Sequence, residues 1–300
     1  MENQLLSFAR LAVAVARRVV PVCLSKFARP AYRPSSLFAA LLLKEHLRLN
    51  YRRLEDLLRL SGRLRRLLGF LSVPDHSTFW WFFRRWLDPD LIAAALAATV
   101  QRVAPGKGRR QVALDSTGLW LSHTSRYFEW RAKRERGQRG WLKWALAMWV
   151  EPQMLLSQRV RPGPAGEFPD LVPLASDAAA VIGFDEVLAD AGYDSEANHR
   201  FCREGLGVHS LIPAKRRRSA KVIATTPYRQ EMHRLLNEPG EEASKRAYHQ
   251  RWKIETVMSV SKRRWGETLS ARTDLTQRSQ ALLRGVVYNV NRLVLLGKLP

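Results

Sequence analysis

Cysteine is nearly absent from this sequence: Cys23 and Cys202 are the two present among 300 residues. Two thiols exclude a disulfide scaffold and any zinc module built from several cysteines. Histidine does not fill the gap, because His199, His209 and His249 stand singly, without metal-ligand spacing, and none is assigned a catalytic role. Long apolar runs are missing as well. Leu11–Leu24 is interrupted by Arg17 and Arg18, is too short to span a bilayer, and lacks the basic start and small-residue cleavage site of a secretory signal. There is no internal repeat and no low-complexity tract. With 46% hydrophobic and 26% charged residues the chain has a globular balance, which excludes a wholly disordered protein. These absences predict a soluble, cytoplasmic protein.

Acidic side chains are the remaining shortage. There are 27 Asp and Glu against 50 Lys and Arg, a formal net charge of +23. An enzyme acting on small neutral substrates gains nothing from such a field. A protein lying along a polyphosphate does, because each neutralised phosphate releases counterions. Residues 1–110 hold 20 basic and 7 acidic side chains, net +13, and the remaining 190 hold 30 and 20, net +10. The excess therefore runs the length of the chain, which favours a long nucleic-acid track over a single docking patch. It also disfavours a membrane surface, which would need the cations on one amphipathic helix.

Apolar spacing of three and four residues makes residues 1–108 a helical region, with helices over Leu37–Leu49, Tyr51–Leu60, Arg63–Phe70 and Phe79–Leu87. Ser61-Gly62 stops one helix and Asp75 is a natural N-cap for another. Short helices joined by tight turns over about 51–88 resemble a helix-turn-helix unit, with Arg84 and Arg85 as DNA contacts. A small bundle with Trp80, Trp81 and Trp86 in its core is the other reading of the same segment. A linker, Ala104–Arg110, precedes a change of pattern. Residues 109–300 alternate strands (Gln111–Ser122, Trp141–Val150, Met154–Arg161, Glu186–Asp190, Val208–Pro213) with helices (Asp170–Ile182, Ser195–Glu204), a mixed α/β sheet of five strands flanked by helices. A polar, arginine-rich stretch, Lys215–Gly240, leads into a final long helix from about Glu241 to Trp265.

That helix carries Tyr248, Arg251, Glu255 and Lys262 within a sector of roughly 60°, beside an apolar stripe of Ala247, Ile254, Val257, Met258 and Trp265. Asp115 and Asp190 lie at the ends of expected strands, where open sheets place ligands. Each alone is more often a turn or cap residue, and Asp194 is expected to serve as an N-cap. Together Asp115, Asp190 and Glu255 form a set of hard oxygen donors suited to two divalent cations, Mg²⁺ or Mn²⁺, acting on a phosphodiester.

At these residues the sequence resembles the DDE-type transposases of bacterial insertion sequences. Tyr248, Arg251, Glu255 and Lys262 fit the family signature Tyr-x₂-Arg-x₃-Glu-x₆-Lys at every interval, Leu114-Asp115-Ser-Thr-Gly and Ala189-Asp190-Ala-Gly-Tyr look like its two aspartate motifs, and Gly69–Phe79 is similar to a segment before its catalytic domain. The likeness runs over about residues 36–297. It implies an RNase H-like catalytic domain and a metal-dependent polynucleotidyl transferase that binds terminal inverted repeats, cleaves there and joins the 3′-hydroxyl to target DNA. It implies Asp115, Asp190 and Glu255 as metal ligands, Tyr248, Arg251 and Lys262 as phosphate contacts, and a dimer or higher assembly, nucleoid-associated. Between Asp190 and Glu255 lie 64 residues, which leaves Lys215–Gly240 as a short insertion and argues against hairpin handling by a large inserted domain. A nuclease without strand transfer and a catalytically silent DNA-binding protein are the rival readings.

Among other candidates, Trp252 is placed to stack on DNA beside Arg251. The basic runs Lys215–Arg218 and Arg131–Arg139 offer further backbone contacts. Trp120, Trp141, Trp144 and Trp149 alternate on strands and are expected in the core, whereas Trp130 falls in a loop.

Overall fold

The computed structural model describes residues 3–22, 31–103, 108–121, 140–215 and 226–299. Cys23, residues 104–107 of the linker, Trp130, the Arg131–Arg139 loop and Arg216–Arg218 lie outside the described residues. The chain forms two compact units: Met1–Ala104, Leu121–His123 and Arg263–Pro300 in one, Pro105–Trp120 and Thr124–Lys262 in the other.

The chain begins with α1 (Gln4–Val19), α2 (Pro34–His46), α3 (Tyr51–Leu60), α4 (Gly62–Leu67), α5 (His76–Trp86) and α6 (Pro89–Val100). Side-chain caps explain how helices this short follow one another so closely. Asn50, Ser61, Asp75 and Asp88 each accept a backbone N–H from the first turn of the helix they precede. On α5 the phenylalanines turn inward and Trp80 and Trp81 outward: Phe79, Phe82 and Phe83 are buried, Trp80 is 37% and Trp81 57% exposed, and Trp86 is half-buried. The reading that made the tryptophans of α5 its core is therefore corrected. Helical periodicity buries the 79/82/83 face and leaves 80/81 on the other side.

The second unit is built on β1 (Gln111–Leu121), β2 (Trp141–Trp149), β3 (Met154–Pro162), α7 (Leu171–Val181), β4 (Glu186–Ala189), α8 (Glu196–Arg200) and β5 (His209–Leu211). The strand order is β3-β2-β1-β4-β5. The first three strands form an antiparallel meander, β4 runs parallel to β1, and β5 runs parallel to β4. This is the mixed, RNase H-like sheet expected. Strands covered on both faces carry nearly continuous apolar runs, as in Leu142–Trp149, which is buried throughout. Trp144 and Trp149 are core, as expected; Trp120, 51% exposed, is not.

The arginine-rich stretch contains a helix, α9 (Pro227–Asn237), which starts with proline in its first turn and buries Met232 and Leu235. The final helix is two helices, α10 (Glu242–His249) and α11 (Trp252–Trp265). At the joint the amides of Gln250, Arg251, Lys253 and Ile254 reach back three residues instead of four. That tightening corrects the single continuous helix expected, and Tyr248 cannot be placed by one wheel. Within α11, Glu255 and Lys262 remain two turns apart on one face.

After β6 (Thr268–Leu269) comes α12 (Asp274–Leu295), opened by a Thr273/Thr276 capping box. It buries Val286, Val287 and Val290 against α1, α2 and α6 in the helical unit. Compactness thus divides the chain after Ala104 and again before Arg263, where the sequence suggested one division at 108/109. α12 is buried around most of its circumference, polar Gln277, Gln280, Arg284 and Asn289 included, which requires helices and polar partners on several sides. Inside this unit Glu45 accepts from Arg284 Nε at 2.8 Å and from Gln280 at 3.2 Å. Among the described residues no helix is long and apolar enough to cross a membrane.

Candidate active site

Strand register brings the two aspartates together. Leu114 on β1 pairs with Ala189 on the parallel β4, so the next residues, Asp115 and Asp190, lie side by side. Asp190 follows the end of β4, but Asp115 is inside β1, which continues to Leu121 because β2 pairs with it as far as Trp120, and this corrects the strand end expected there. Adjacent strands lie roughly 4.8 Å apart, which sets the scale of their separation. Asp115 Oδ1 accepts the Ser116 amide at 2.7 Å, and Asp190 Oδ1 accepts the Gly192 amide at 2.6 Å, capping a single 3₁₀ turn over Ala191–Tyr193.

The third acid arrives through an arginine. Glu255 sits in the first turn of α11 with its side chain 55% exposed. Arg251, at the joint between α10 and α11, donates from Nη1 to Asp115 Oδ2 at 3.3 Å and from Nη2 to Glu255 Oε1 at 2.5 Å. A cation therefore already spans two of the three carboxylates. Tyr248 joins the same neighbourhood: burial pushes its phenol above the ordinary range, Arg251 opposes that, and Asp190 and Asp115 add to it. Burial alone would lower the Arg251 guanidinium, but Tyr248, Asp115 and Glu255 more than offset it. Asp115 is raised to about 6, chiefly by burial; the Ser116 amide and Arg251 oppose the rise, and Asp190 and Glu167 assist it. Lys262 is half-buried on α11 with no ion-pair partner among the described residues, and Trp252 is 46% exposed beside Arg251.

Glu167 carries no signal in the sequence: it is a lone acid after the Pro162–Gly166 break. The structure sets it against the site, where Oε1 accepts a short hydrogen bond from the Ser116 hydroxyl. Lys143 was equally invisible. It is 3% exposed, pairs with Asp170 at 3.2 Å and donates to the Ala165 and Gly166 carbonyls. A lysine inside an apolar strand needs a tertiary partner before it has any meaning.

Other candidates fall elsewhere. Arg84 lies over Trp80 and Trp81 at 5.3 and 5.9 Å, and Arg85 over Trp86 at 5.5 Å. Trp80, Phe83 and Arg84 also line a cavity of about 430 Å³ within the helical unit. Asp194 is not an N-cap: Ser195 caps α8, while the Asp194 carboxylate takes Arg229 and the Lys215 amide. His199 is fully buried, with Nδ1 2.8 Å from Ser210 Oγ. Among the described residues, Glu55, Asp75 and His76 bring three ligand atoms within 4.8 Å of one another, and the catalytic triad candidates do not. Those three groups are already engaged, since Glu55 accepts from Arg59 and His76 and Asp75 caps α5.

Carboxylate oxygens from β1, the end of β4 and the first turn of α11, with a guanidinium spanning Asp115 and Glu255, fit a divalent cation. A family profile described as "Transposase DDE domain" matches residues 106–290, and one described as "Transposase domain (DUF772)" matches residues 3–85. Among solved structures, the chain is similar to piggyBac transposase in a cryo-EM synaptic complex with hairpin DNA, at 11% identity and a TM-score of 0.46, over 99% of this chain and 75% of that one. A search of the curated proteins finds no match.

Proposed function

The chain belongs to the transposase DDE-domain family, and from that premise we propose that it is the transposase of an insertion sequence, binding the terminal inverted repeats and carrying out cleavage and 3′-end joining. The observation that carries this reading is the parallel register that sets Asp115 beside Asp190, with Glu255 tied to Asp115 through Arg251. Asp115, Asp190 and Glu255 would hold two Mg²⁺ or Mn²⁺ ions. Bound there, such ions make a water or a 3′-hydroxyl more nucleophilic and stabilise the leaving oxygen of an in-line displacement.

The rest of the work belongs to the chain's own side chains. Asp115 stands inside β1 and Asp190 directly follows β4, so both carboxylates are aimed by the sheet before substrate arrives. Arg251, released from the acids, holds the phosphate next to the cleaved bond, with Tyr248 and Lys262 on the same strand of DNA. Trp252, exposed at the start of α11, stacks on a base freed near the end. Arg84 and Arg85 follow the duplex backbone in the helical unit. Bringing two element ends together calls for a dimer or higher assembly.

Asp115→Asn, Asp190→Asn and Glu255→Gln each remove a charge and keep the shape. Each should cut Mg²⁺-dependent cleavage of terminal-repeat DNA by about 10³-fold, several kcal/mol of transition-state stabilisation. Binding to that DNA should persist in all three. Full cleavage by Glu255→Gln would remove that residue from the site, and a pre-cleaved 3′ end that yields no joined product would make the protein a nuclease.

A further inference from the structure

Glu167 is held in place from both sides. Lys143 donates to the carbonyls of Ala165 at 3.1 Å and Gly166 at 3.0 Å, and Arg161 reaches Gly166 O at 2.8 Å and Asp170 at 2.6 Å. The loop that carries Glu167 is therefore clamped at the residues before it and at the turn after it.

Its two carboxylate oxygens face different things. Oε1 accepts from the hydroxyl of Ser116, the neighbour of Asp115. Oε2 points at Gly192: a Cβ built there would lie 2.0 Å from Glu167 Oε2 and 2.8 Å from Asp190 Oδ1. Two carboxylate oxygens thus converge on one point, in space left open because residue 192 has no side chain. Among the described residues nothing donates a hydrogen bond to Oε2. The nearest ammonium, Lys143 Nζ, is 4.0 Å from the other oxygen and is already paired with Asp170 at 3.2 Å.

A purely structural part for residue 167, accepting from Ser116, needs no charge; glutamine would fill it without repelling Asp190. The one ammonium near Glu167 among the described residues is Lys143, 4.0 Å away and shared with Asp170, and like charges brought together at a clamped loop call for a cation between them. We propose that Glu167 is a fourth carboxylate of the active site, holding a divalent cation jointly with Asp190. The inference rests on the metal-dependent reading above. It assigns this first cation to the pair that Arg251 does not touch, so that it binds before DNA draws Arg251 away from Asp115 and Glu255.

The test is Mn²⁺ binding to the full-length, DNA-free protein, followed by the electron paramagnetic resonance of free Mn²⁺. Glu167→Gln should raise the Kd at least about tenfold. Ser116→Ala, which keeps the charge, and Glu255→Gln, which Arg251 screens, should leave the first binding event near the wild-type value. Thermal unfolding in EDTA checks that each variant is folded, and Glu167→Ala takes the place of Glu167→Gln if the latter is not. An unchanged Kd in Glu167→Gln overturns the proposal, and so does an equal loss in Ser116→Ala, which would make Glu167 a mere support. Wild-type protein that binds no Mn²⁺ would overturn the metal-dependent reading itself, an outcome distinct from both.

Discussion

Arg251 donates to Asp115 at 3.3 Å although 136 positions of chain separate them. With its other arm it holds Glu255 at 2.5 Å, so one guanidinium keeps two acids from repelling each other. Arg251→Ala should lower the unfolding free energy in EDTA by about 1–3 kcal/mol, the cost of leaving charged partners unmet. Added Mn²⁺ should then raise the melting temperature of the variant more than that of the wild type, because no guanidinium competes for the same oxygens. Equal increments would show that Arg251 and the cation do not share a place.

Gly192 admits the Glu167 carboxylate by lacking a side chain, since an added methyl would sit 2.0 Å from Oε2. Gly192→Ala should destabilise the protein by about 1–3 kcal/mol, as overpacking generally does. Adding Glu167→Ala to Gly192→Ala should recover most of that stability, a coupling that a double-mutant cycle reads directly. Activity should stay low in the pair, because the acid is gone. Additive losses of stability would mean the two residues do not meet.

Glu45 and Arg284 form a buried pair at 2.8 Å, with both side chains under a tenth exposed. Burial alone would raise the Glu45 carboxyl, but Lys44 and Arg284 hold it below the usual carboxylate range. Removing either partner leaves a buried charge, so Glu45→Met or Arg284→Met should cost about 3–5 kcal/mol in urea unfolding. The double substitution should cost less than the sum of the two.

His199 is fully enclosed, and burial lowers its imidazole to about 4; Asp194, Glu196 and Glu231 oppose that shift and Arg203 adds to it. The folded value lies below the unfolded one of about 6.5, so the neutral ring favours the folded state. Its contribution, about 3 kcal/mol, is complete above pH 6.5 and lost as the pH falls toward 4. Unfolding free energies of wild type and His199→Gln, measured between pH 7.5 and 4.5, should converge as the solution becomes more acidic. Parallel curves would rule out His199 as the source.

Element positions were largely legible because their signals are local. Tyr51–Leu60 is a helix at the bounds the apolar spacing predicts, and the Asp75 cap stands where expected. Strands β1 to β4 follow their apolar runs to within a residue or two at each end. The break at Gln250–Arg251 escaped, since no proline or glycine marks it and the backbone tightens without one. The burial of the phenylalanines on α5 and the return of α12 to the helical unit escaped for a related reason: both depend on what each helix packs against.

The sequence by itself determined a charge of +23 spread along the chain, and it singled out three acids and an arginine as candidates. Only the tertiary structure decided which of those groups meet. Register between β1 and β4 sets Asp115 beside Asp190, the turn before α11 swings Arg251 onto Asp115 and Glu255, and a missing side chain at Gly192 lets Glu167 in. Spacing along a chain is a one-dimensional fact. The charge density that draws a cation depends on distances between strands and loops, which packing alone sets.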